Sequence, residues 1–432
     1  MSSRLLRRRS ATAAWIYVSV GLAIAATIVA ARVLGLQQFG VYATALAVVG
    51  FFQSLLDLTV EESLTKYGFR YLESGDWGRL RRLFRQTLRL KLLGGALATV
   101  IIVLLAPFAD RLFGEKGVGT ALLAASLLPL VQSSENVGAT ALLLHGRYDL
   151  RGTYQAGSAG LRLLAVAIGA QYGVDQALFG MVLAQLVASA VISYAGLAAI
   201  RRFPHGETRP LGEDAAGIRS FVLSSSIATG VVSVRTTLVP IVLGIVASPT
   251  QLGLFRVAQT PQTGLAAASS PARLVLLTEQ TRAWERGERL RVLRGVRSYT
   301  RWAGGIMLVA VPVFFLLMPL LVRIVFGSQY EDAVEAARIV LLAAAIQFTI
   351  GWTKSLPVSI GRPQLRILTH GLETLVAIPL VAVLGAEWGA TGAAIAVLAS
   401  SVVFALAWLV VLSRLRHEVH AAENPGGTAL QS

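Results

Sequence analysis

The chain has 432 residues, of which 55% are hydrophobic and 14% charged, and its net charge is +16. Soluble globular proteins carry about 25% charged residues, so this composition predicts an integral membrane protein and excludes a large soluble enzyme. The chain contains no cysteine, which excludes disulfides and thiolate sites, and its five histidines show no metal-binding spacing. No P-loop motif GxxxxGK[ST] is present. We therefore predict no metal, no cofactor and no direct use of ATP.

Twelve apolar stretches follow one another along the chain, each close to the roughly 20 residues that a transmembrane helix needs. The basic N-terminus precedes the first of them as in a signal peptide, but we predict an uncleaved first helix because the apolar run extends to Arg32. Seven stretches carry no charge, namely Ala13–Ala31, Gly40–Leu56, Leu92–Ala109, Gly117–Ser134, Gln176–Ile200, Trp302–Val322 and Trp388–Ser413. Five carry one or two charges, at about 152–172, 217–247, 252–278, 333–356 and 364–386. The pattern predicts an all-α membrane protein with twelve transmembrane helices.

The basic residues concentrate on one predicted side of the membrane. With the N-terminus in the cytoplasm, the cytoplasmic segments hold 29 of the 39 Lys and Arg residues, including eight in the segment Lys66–Lys91. The positive-inside rule then places both termini in the cytoplasm. The basic segments RLRRLFRQTLRLK and RAWERGERLRVLRGVRSYTR are amphipathic. They indicate contact with anionic lipid head groups rather than with nucleic acid.

The two halves of the chain repeat each other. LGLQQFG, ending at Gly40, matches LGIVASPTQLG, ending at Gly253, and three further pairs follow at intervals of 212 to 215 residues. These pairs are Pro107 with Pro319, Gly114 with Gly327, and Gly146 with Gly361. Six helices per half give a parallel repeat whose pseudo-twofold axis runs along the membrane normal. We predict two six-helix lobes, 1–200 and 218–414, a cytoplasmic linker 201–217, a tail 415–432, and a V shape with a central cleft.

The predicted outer hairpin between helices one and two is the segment RVLGLQQFGVYATA, Arg32 to Ala45. Gly35 and Gly40 would allow the chain to reverse tightly there. This segment, with Asp57-Leu58 and Lys66-Tyr67, resembles the first hairpin of bacterial polysaccharide biosynthesis flippases. The turn Phe326-Gly327-Ser328-Gln329-Tyr330 is similar to the FGxxY of that family, and Ile360-Gly361-Arg362 is similar to its Gly-[Arg/Lys] turn. Where the family often has Asp-x-Gly in the second helix, this chain has Asp57-Leu58-Thr59.

The resemblance covers about residues 10–415 and implies a role for the chain. The family belongs to a superfamily that also contains multidrug and toxin extrusion transporters and lipid II flippases. Its members export lipid-linked O-antigen, exopolysaccharide or capsule units. The resemblance therefore implies a multi-pass protein of the bacterial cytoplasmic membrane that moves undecaprenyl-pyrophosphate-linked oligosaccharide from the inner to the outer leaflet, with polysaccharide polymerase or export proteins as further partners.

Four basic residues within the predicted helices are candidate substrate-binding groups, because an ionised side chain inside a membrane is costly without water or a partner. They are Arg162 in helix five, Arg235 in helix seven, Arg273 in helix eight and Lys354 near the end of helix ten. Arginine offers a pyrophosphate a bidentate fork that stays charged. The alternatives are pairing with a buried carboxylate, or a lysine that reaches the membrane interface.

Four acidic residues are candidate ion-coupling groups. Asp57 and Glu61 are four residues apart on helix two, Glu135 follows Gln132-Ser133-Ser134 in helix four, and Glu373 lies within helix eleven. Buried carboxylates can carry protons through a transport cycle. The alternative is neutralisation of a nearby arginine, for example Arg162 by Glu135 or Glu373.

The sequence thus predicts a transporter rather than an enzyme, a lipid-linked oligosaccharide flippase in which the two lobes alternate access. Three other functions stay open. A multidrug exporter would favour acids and aromatic residues in its cleft, a lipid II flippase usually has more than twelve helices, and a polymerase or ligase would be expected to have a large external loop.

Overall fold

The computed structural model of the protein describes residues 3–56, 60–204, 207–362 and 364–423. Within these ranges every regular element is helical, which confirms the predicted all-α fold. The helices are α1 Ser3–Leu56, α2 Val60–Ser74, α3 Trp77–Phe113, α4 Val118–Ala125, α5 Leu128–Gln132, α6 Glu135–Leu144, α7 Tyr148–Gly169, α8 Val174–Arg201, α9 Asp214–Val246, α10 Pro249–Ala258, α11 Thr260–Ala268, α12 Ser270–Glu285, α13 Arg289–Val325, α14 Ala333–Thr349, α15 Leu356–Ser359 and α16 Gln364–Glu423. Two 3-10 turns, Ser328–Tyr330 and Gly351–Lys354, flank α14.

The chain divides into two compact units, which we call the first unit, Met1–Gly253, and the second unit, Leu254–Ser432. In the first unit α1 packs along α7 and α9, and α8 packs against α7 and α6. In the second unit α14 packs against α16, α13 and α11. The lobe boundaries at residues 200 and 218 stay a prediction, as does the number of twelve membrane crossings.

In the part of the chain that the structure describes, five helical stretches are long and apolar enough to cross a membrane by length and composition: Ala14–Leu56, Trp77–Phe113, Val174–Arg201, Arg289–Val325 and Gln364–Val419. Their outer surfaces are hydrophobic. Leu308 and Leu316 on α13, for example, are 79% and 75% exposed. Exposed leucines in such density are unfavourable in water and favourable in hydrocarbon, so these surfaces fit a lipid environment.

Two glycines interrupt the longest helices. Gly35 in α1 has φ 75° and ψ 171°, and Gly389 in α16 has φ 54° and ψ −129°. Both conformations lie outside the helical region and favour glycine, because a Cβ atom would clash with the backbone. The predicted break of the chain at Gly35 is therefore confirmed.

Gly40 has a different role from the one that the sequence suggested. It lies inside α1 and is not among the residues of positive φ. A Cβ atom at this position would overlap the carbonyl oxygen of Pro249, and Gly253 lies against Gly40 from the same helix, α10. The prediction of Gly40 as a turn residue was wrong: it allows two helices to approach closely.

The sequence repeat extends to the backbone. α3 and α13 are both 37 residues long, and each contains a proline near its end, Pro107 or Pro319. Glycines of positive φ occur at equivalent places in both halves, in the pairs Gly75 and Gly287, Gly114 and Gly327, and Gly146 and Gly361. Positive φ at glycine therefore occurs at corresponding helix ends in both halves.

Two motifs shared with the resembled family are structural turns. In FGSQY, Gly327 has φ 107°, and the rings of Phe326 and Tyr330 meet edge to face at 6.1 Å. In the turn at Gly361-Arg362, the Arg362 guanidinium donates to Glu418 Oε2 at 2.7 Å. Both partners are largely exposed, so the pair contributes little stability.

Polar contacts with Asp214 hold the turn between α2 and α3. The Tyr71 hydroxyl donates to Asp214 Oδ2 at 2.9 Å, and Arg70 Nη1 lies 3.1 Å from Oδ1. Burial of Tyr71, together with this bond to a carboxylate, raises the pKa of the phenol. Asp76 caps α3 by accepting from the amide of Arg79. Asp214 is the first residue of α9, and Arg79 Nη1 on α3 lies 3.8 Å from its Oδ2. Asp214 therefore contacts both α2 and α3, which carry Glu61 and Lys91.

The close approach at Gly40 gives a test of the fold. Gly40→Ala is expected to destabilise the protein by about 1–3 kcal/mol, because the added methyl group forces α1 and α10 apart. The matched control is Gly50→Ala in the same helix, where a Cβ atom meets nothing within 4 Å. It should be neutral or stabilising, by about 1 kcal/mol of helix propensity. Thermal unfolding of the purified protein, followed by tryptophan fluorescence, measures both; equal effects would contradict the packing role.

Candidate functional site

A polar cavity of about 230 Å³ lies within the first unit. Helices α1, α3, α5, α6 and α7 all contribute to it. Its lining contains two basic residues, one acidic residue and several amides and hydroxyls, listed together as Gln53, Lys91, Gly94, Gly95, Ala98, Pro129, Gln132, Ser133, Glu135, Asn136 and Arg162. So many polar side chains among apolar helices indicate a site for a hydrated or charged ligand.

The interrupted segment α4–α6 provides one wall of the cavity. The helix stops after Ala125, resumes at Leu128 with Pro129 in its first turn, and breaks again around Ser133. Pro129 lacks an N–H, so it fits the start of a helix. Four polar residues at this second break line the cavity, namely Gln132, Ser133, Glu135 and Asn136. Irregular backbone among membrane helices is tolerated where it lines a cavity.

Lys91 is the most buried charge in the cavity. It lies fifteen residues into α3, is 3% exposed, and its Nζ lies 2.6 Å from Glu61 Oε2 on α2. The sequence pattern placed Lys91 at the end of a basic cytoplasmic segment and did not mark it as a site residue. The helix continues without interruption from its basic amphipathic part into its apolar part, and so it carries Lys91 into the interior. The predicted site residue Glu61 is thus joined to the cavity through Lys91.

Arg162 and Glu135 are two predicted site residues that the structure brings into the same cavity. Arg162 projects from α7 and is half-buried. Glu135, at the start of α6, accepts a hydrogen bond from Gln185 Nε2 at 2.8 Å, and Gln185 is itself 1% exposed. This bond orients the carboxylate. The cavity therefore offers two cations and one fixed carboxylate within a polar lining.

Amide contacts between helices form a part of the site that the sequence analysis missed. Gln53 donates to Gln132 across the cavity. The second unit contains a similar chain, in which Gln262 donates to Gln347 at 3.0 Å and Gln347 donates to Ser401 at 3.0 Å. The sequence does contain a signal for these contacts, because glutamines within uncharged apolar runs need hydrogen-bond partners. A search for charged residues alone does not find these glutamines.

The other described candidates lie in the second unit. Glu373 on α16 is 1% exposed, and its Oε2 lies 3.0 Å from His370 Nδ1. The ring of His370 stacks on Phe404 with 4.8 Å between centroids. Lys354 is exposed at the end of the 3-10 turn Gly351–Lys354. These residues are therefore not part of the cavity in the first unit.

Three candidates cannot be placed in the same way. Asp57 lies outside the described residues. Arg235 is on α9 and Arg273 on α12, but their side chains also lie outside the described part of the structure. Among the residues that are described, no group of three or more His, Asp or Glu side chains could hold a metal ion.

Comparison with known proteins finds one matching family and one curated relative. The model of the family described as polysaccharide biosynthesis protein matches residues 29–335. The inner membrane protein YghQ of Escherichia coli strain K12 is 28% identical over 289 residues, which cover 63% of this chain and 78% of YghQ.

Several solved structures share the fold. An inward-facing multidrug resistance MATE family transporter of the MOP superfamily has a TM-score of 0.72 at 15% identity, covering 95% of this chain and 98% of that one. The lipid II flippase MurJ in an inward closed conformation has a TM-score of 0.71 at 13% identity, covering 93% and 87%. At such low identity these likenesses concern the fold.

The Lys91–Glu61 pair gives a prediction about stability. Glu61→Leu alone is expected to cost about 3 kcal/mol, because it takes the carboxylate away from the buried Lys91 ammonium. Adding Lys91→Met should recover most of that loss, since an apolar pair of similar size replaces a desolvated ion pair at little cost. A double-mutant cycle of thermal unfolding in detergent measures the coupling. Additive effects of the two substitutions would show that the pair is energetically unimportant.

Proposed function

The chain belongs to the polysaccharide biosynthesis protein family, and from this premise we propose that it is a flippase for undecaprenyl-pyrophosphate-linked oligosaccharide. The cargo would be an O-antigen, exopolysaccharide or capsule unit, moved from the cytoplasmic to the periplasmic leaflet of a bacterial inner membrane. The observation that carries the proposal is the polar cavity of the first unit, where Lys91 and Arg162 lie among apolar helices.

The chemistry of the cavity suits the charged part of such a cargo. A pyrophosphate carries several negative charges, and moving it through a membrane requires fixed cations that replace its hydration. Arg162 supplies a planar fork for phosphate oxygens. We propose Arg162, Arg235, Arg273 and Lys354 as substrate-binding residues, with Arg162 the best supported because it lines the cavity.

Alternating access of the two lobes, coupled to an ion gradient, is the proposed mode of transport. The candidate coupling carboxylates are Asp57, Glu61, Glu135 and Glu373. Glu135 has the strongest support, because it shares the cavity with Arg162 and is oriented by Gln185. The fold shared with MATE transporters and with MurJ supports a transport role, and the likeness to the inner membrane protein YghQ supports the location.

A multidrug exporter is the second candidate, since MATE transporters share the fold. Glu135 in the cavity favours it, because a carboxylate attracts cationic drugs. The pairing of Lys91 with Glu61 and the presence of Arg162 favour an anion instead. A polymerase or ligase of polysaccharide assembly is a third reading of the family description.

Complementation of a deletion strain tests the flippase proposal. Deletion is expected to abolish surface polysaccharide and to leave lipid-linked units in the cytoplasmic leaflet. Arg162→Glu should restore less than about a tenth of the wild-type polysaccharide, because a carboxylate repels the pyrophosphate, whereas Arg162→Lys should restore part of it. Arg111→Glu, an exposed position at the end of α3, is the matched control and should restore it fully.

The rival functions predict other outcomes. Normal surface polysaccharide in the deletion strain, with increased sensitivity to cationic drugs, would indicate an exporter. Accumulation of single lipid-linked units in the periplasmic leaflet would indicate a polymerase or ligase. Normal polysaccharide from a properly inserted Arg162→Glu protein would contradict the role of the cavity.

A further inference from the structure

We infer that Lys91 is a second anion-binding group of the cavity, and that Glu61 is its resident counter-ion, which a phosphate-bearing ligand displaces. The inference deepens the proposed function and rests on it for the identity of the ligand. In the structure the Glu61 carboxylate lies against Lys91, at a place that a phosphate oxygen would take in the loaded protein.

The geometry supports an exchange of partners. Lys91 on α3 lines the cavity. Glu61 on α2 contacts Lys91, with 2.6 Å between Glu61 Oε2 and Lys91 Nζ. Lys91 is almost completely buried, whereas the Glu61 side chain is 28% exposed. A carboxylate that is released can therefore be hydrated, whereas the ammonium needs an anion in place at all times. Exchange of one anion for another meets both requirements.

The balance of charge explains why an exchange is useful. In the structure Glu61 neutralises Lys91, and Glu135 lies in the same cavity as Arg162. The site is then close to neutral, which lowers the cost of holding it among apolar helices. A phosphate group brings several acceptor oxygens and more than one negative charge, so it can engage Lys91 and Arg162 together. A single carboxylate competes for Lys91 alone.

The same arrangement separates the two carboxylates. Glu135 is held by Gln185, whose amide nitrogen also lies 3.0 Å from Ser189 Oγ. Glu61 is the second residue of α2, and this helix begins directly after the undescribed residues 57–59. Release of Glu61 from Lys91 therefore changes a contact between α2 and α3, and ligand binding is linked to the packing of these helices.

Binding of inorganic pyrophosphate to the purified full-length protein in lipid nanodiscs tests the inference. Isothermal titration should show that Glu61→Gln binds pyrophosphate about tenfold more tightly than the wild type, because the competing charge is gone. Lys91→Gln should bind at least tenfold more weakly, and Lys91→Arg should stay close to the wild type. Arg89→Gln is the matched control, since Arg89 is exposed two residues earlier on the same helix.

Two further variants guard against a loss of folding. The charge swap Lys91→Glu with Glu61→Lys preserves an ion pair between α2 and α3, so it should keep the thermal stability and yet lose most of the pyrophosphate affinity. Geranyl pyrophosphate is the second probe. If the variants rank in the same order of affinity for inorganic pyrophosphate and for geranyl pyrophosphate, the pyrophosphate group is the part of the ligand that the protein recognises.

Opposite signs of the effects at positions 61 and 91 distinguish counter-ion exchange from a structural ion pair. If the ion pair is purely structural, Glu61→Gln and Lys91→Gln should each weaken pyrophosphate binding or leave it unchanged. Unchanged or weaker binding by a folded Glu61→Gln protein therefore overturns the inference. In a flipping assay in proteoliposomes, Glu61→Gln should also be slower than the wild type despite tighter binding, since release depends on the return of the carboxylate.

The inference and the proposed function can fail separately. If the wild type flips its cargo but the variants at positions 61 and 91 do not change pyrophosphate binding in opposite directions, the counter-ion role is wrong and the flippase proposal stands. If the variants do change pyrophosphate binding in opposite directions but the deletion strain has normal surface polysaccharide, the flippase proposal is wrong and the anion-binding site stands.

Discussion

The ion pair between Lys91 and Glu61 is the interaction on which the site depends. A lysine that is almost completely buried among apolar helices is costly, and a carboxylate at 2.6 Å offsets that cost. The pair requires α2 and α3 to be held in one orientation, and Asp214 on α9 contacts Tyr71 and Arg70 of α2 and Arg79 of α3 near the turn between them. The stability of the first unit and the proposed binding of the ligand therefore both depend on Lys91 and Glu61.

The cavity exists because two kinds of helix meet in the first unit. α3 is continuous and brings Lys91 inward, whereas the segment α4–α6 is interrupted and turns Gln132 and Glu135 toward it. Hydrogen bonds from Gln53 and Gln185 satisfy these polar groups. A ligand that replaces water in the cavity meets groups whose orientation is already fixed, which favours binding by lowering the entropic cost.

The sequence predicted those features that depend on local conformation. The break at Gly35 and the turns at Gly327 and Gly361 follow from the freedom of glycine at positive φ, and the helical fold follows from the length of the apolar runs. Features that depend on packing were missed. Gly40 was taken as a turn residue because its neighbour Pro249 is two hundred residues away in sequence, and Lys91 was not identified as a site residue because nothing local shows that Glu61 faces it. Arg162 and Glu135 were found from charge alone, but their shared cavity needed the fold.

A map of the protein in nanodiscs with geranyl pyrophosphate bound tests the central claim most directly. The account predicts phosphate density within hydrogen-bonding distance of both Lys91 and Arg162, with the Glu61 carboxylate moved away from Lys91. Pyrophosphate bound elsewhere, with Lys91 and Glu61 still paired, would contradict it.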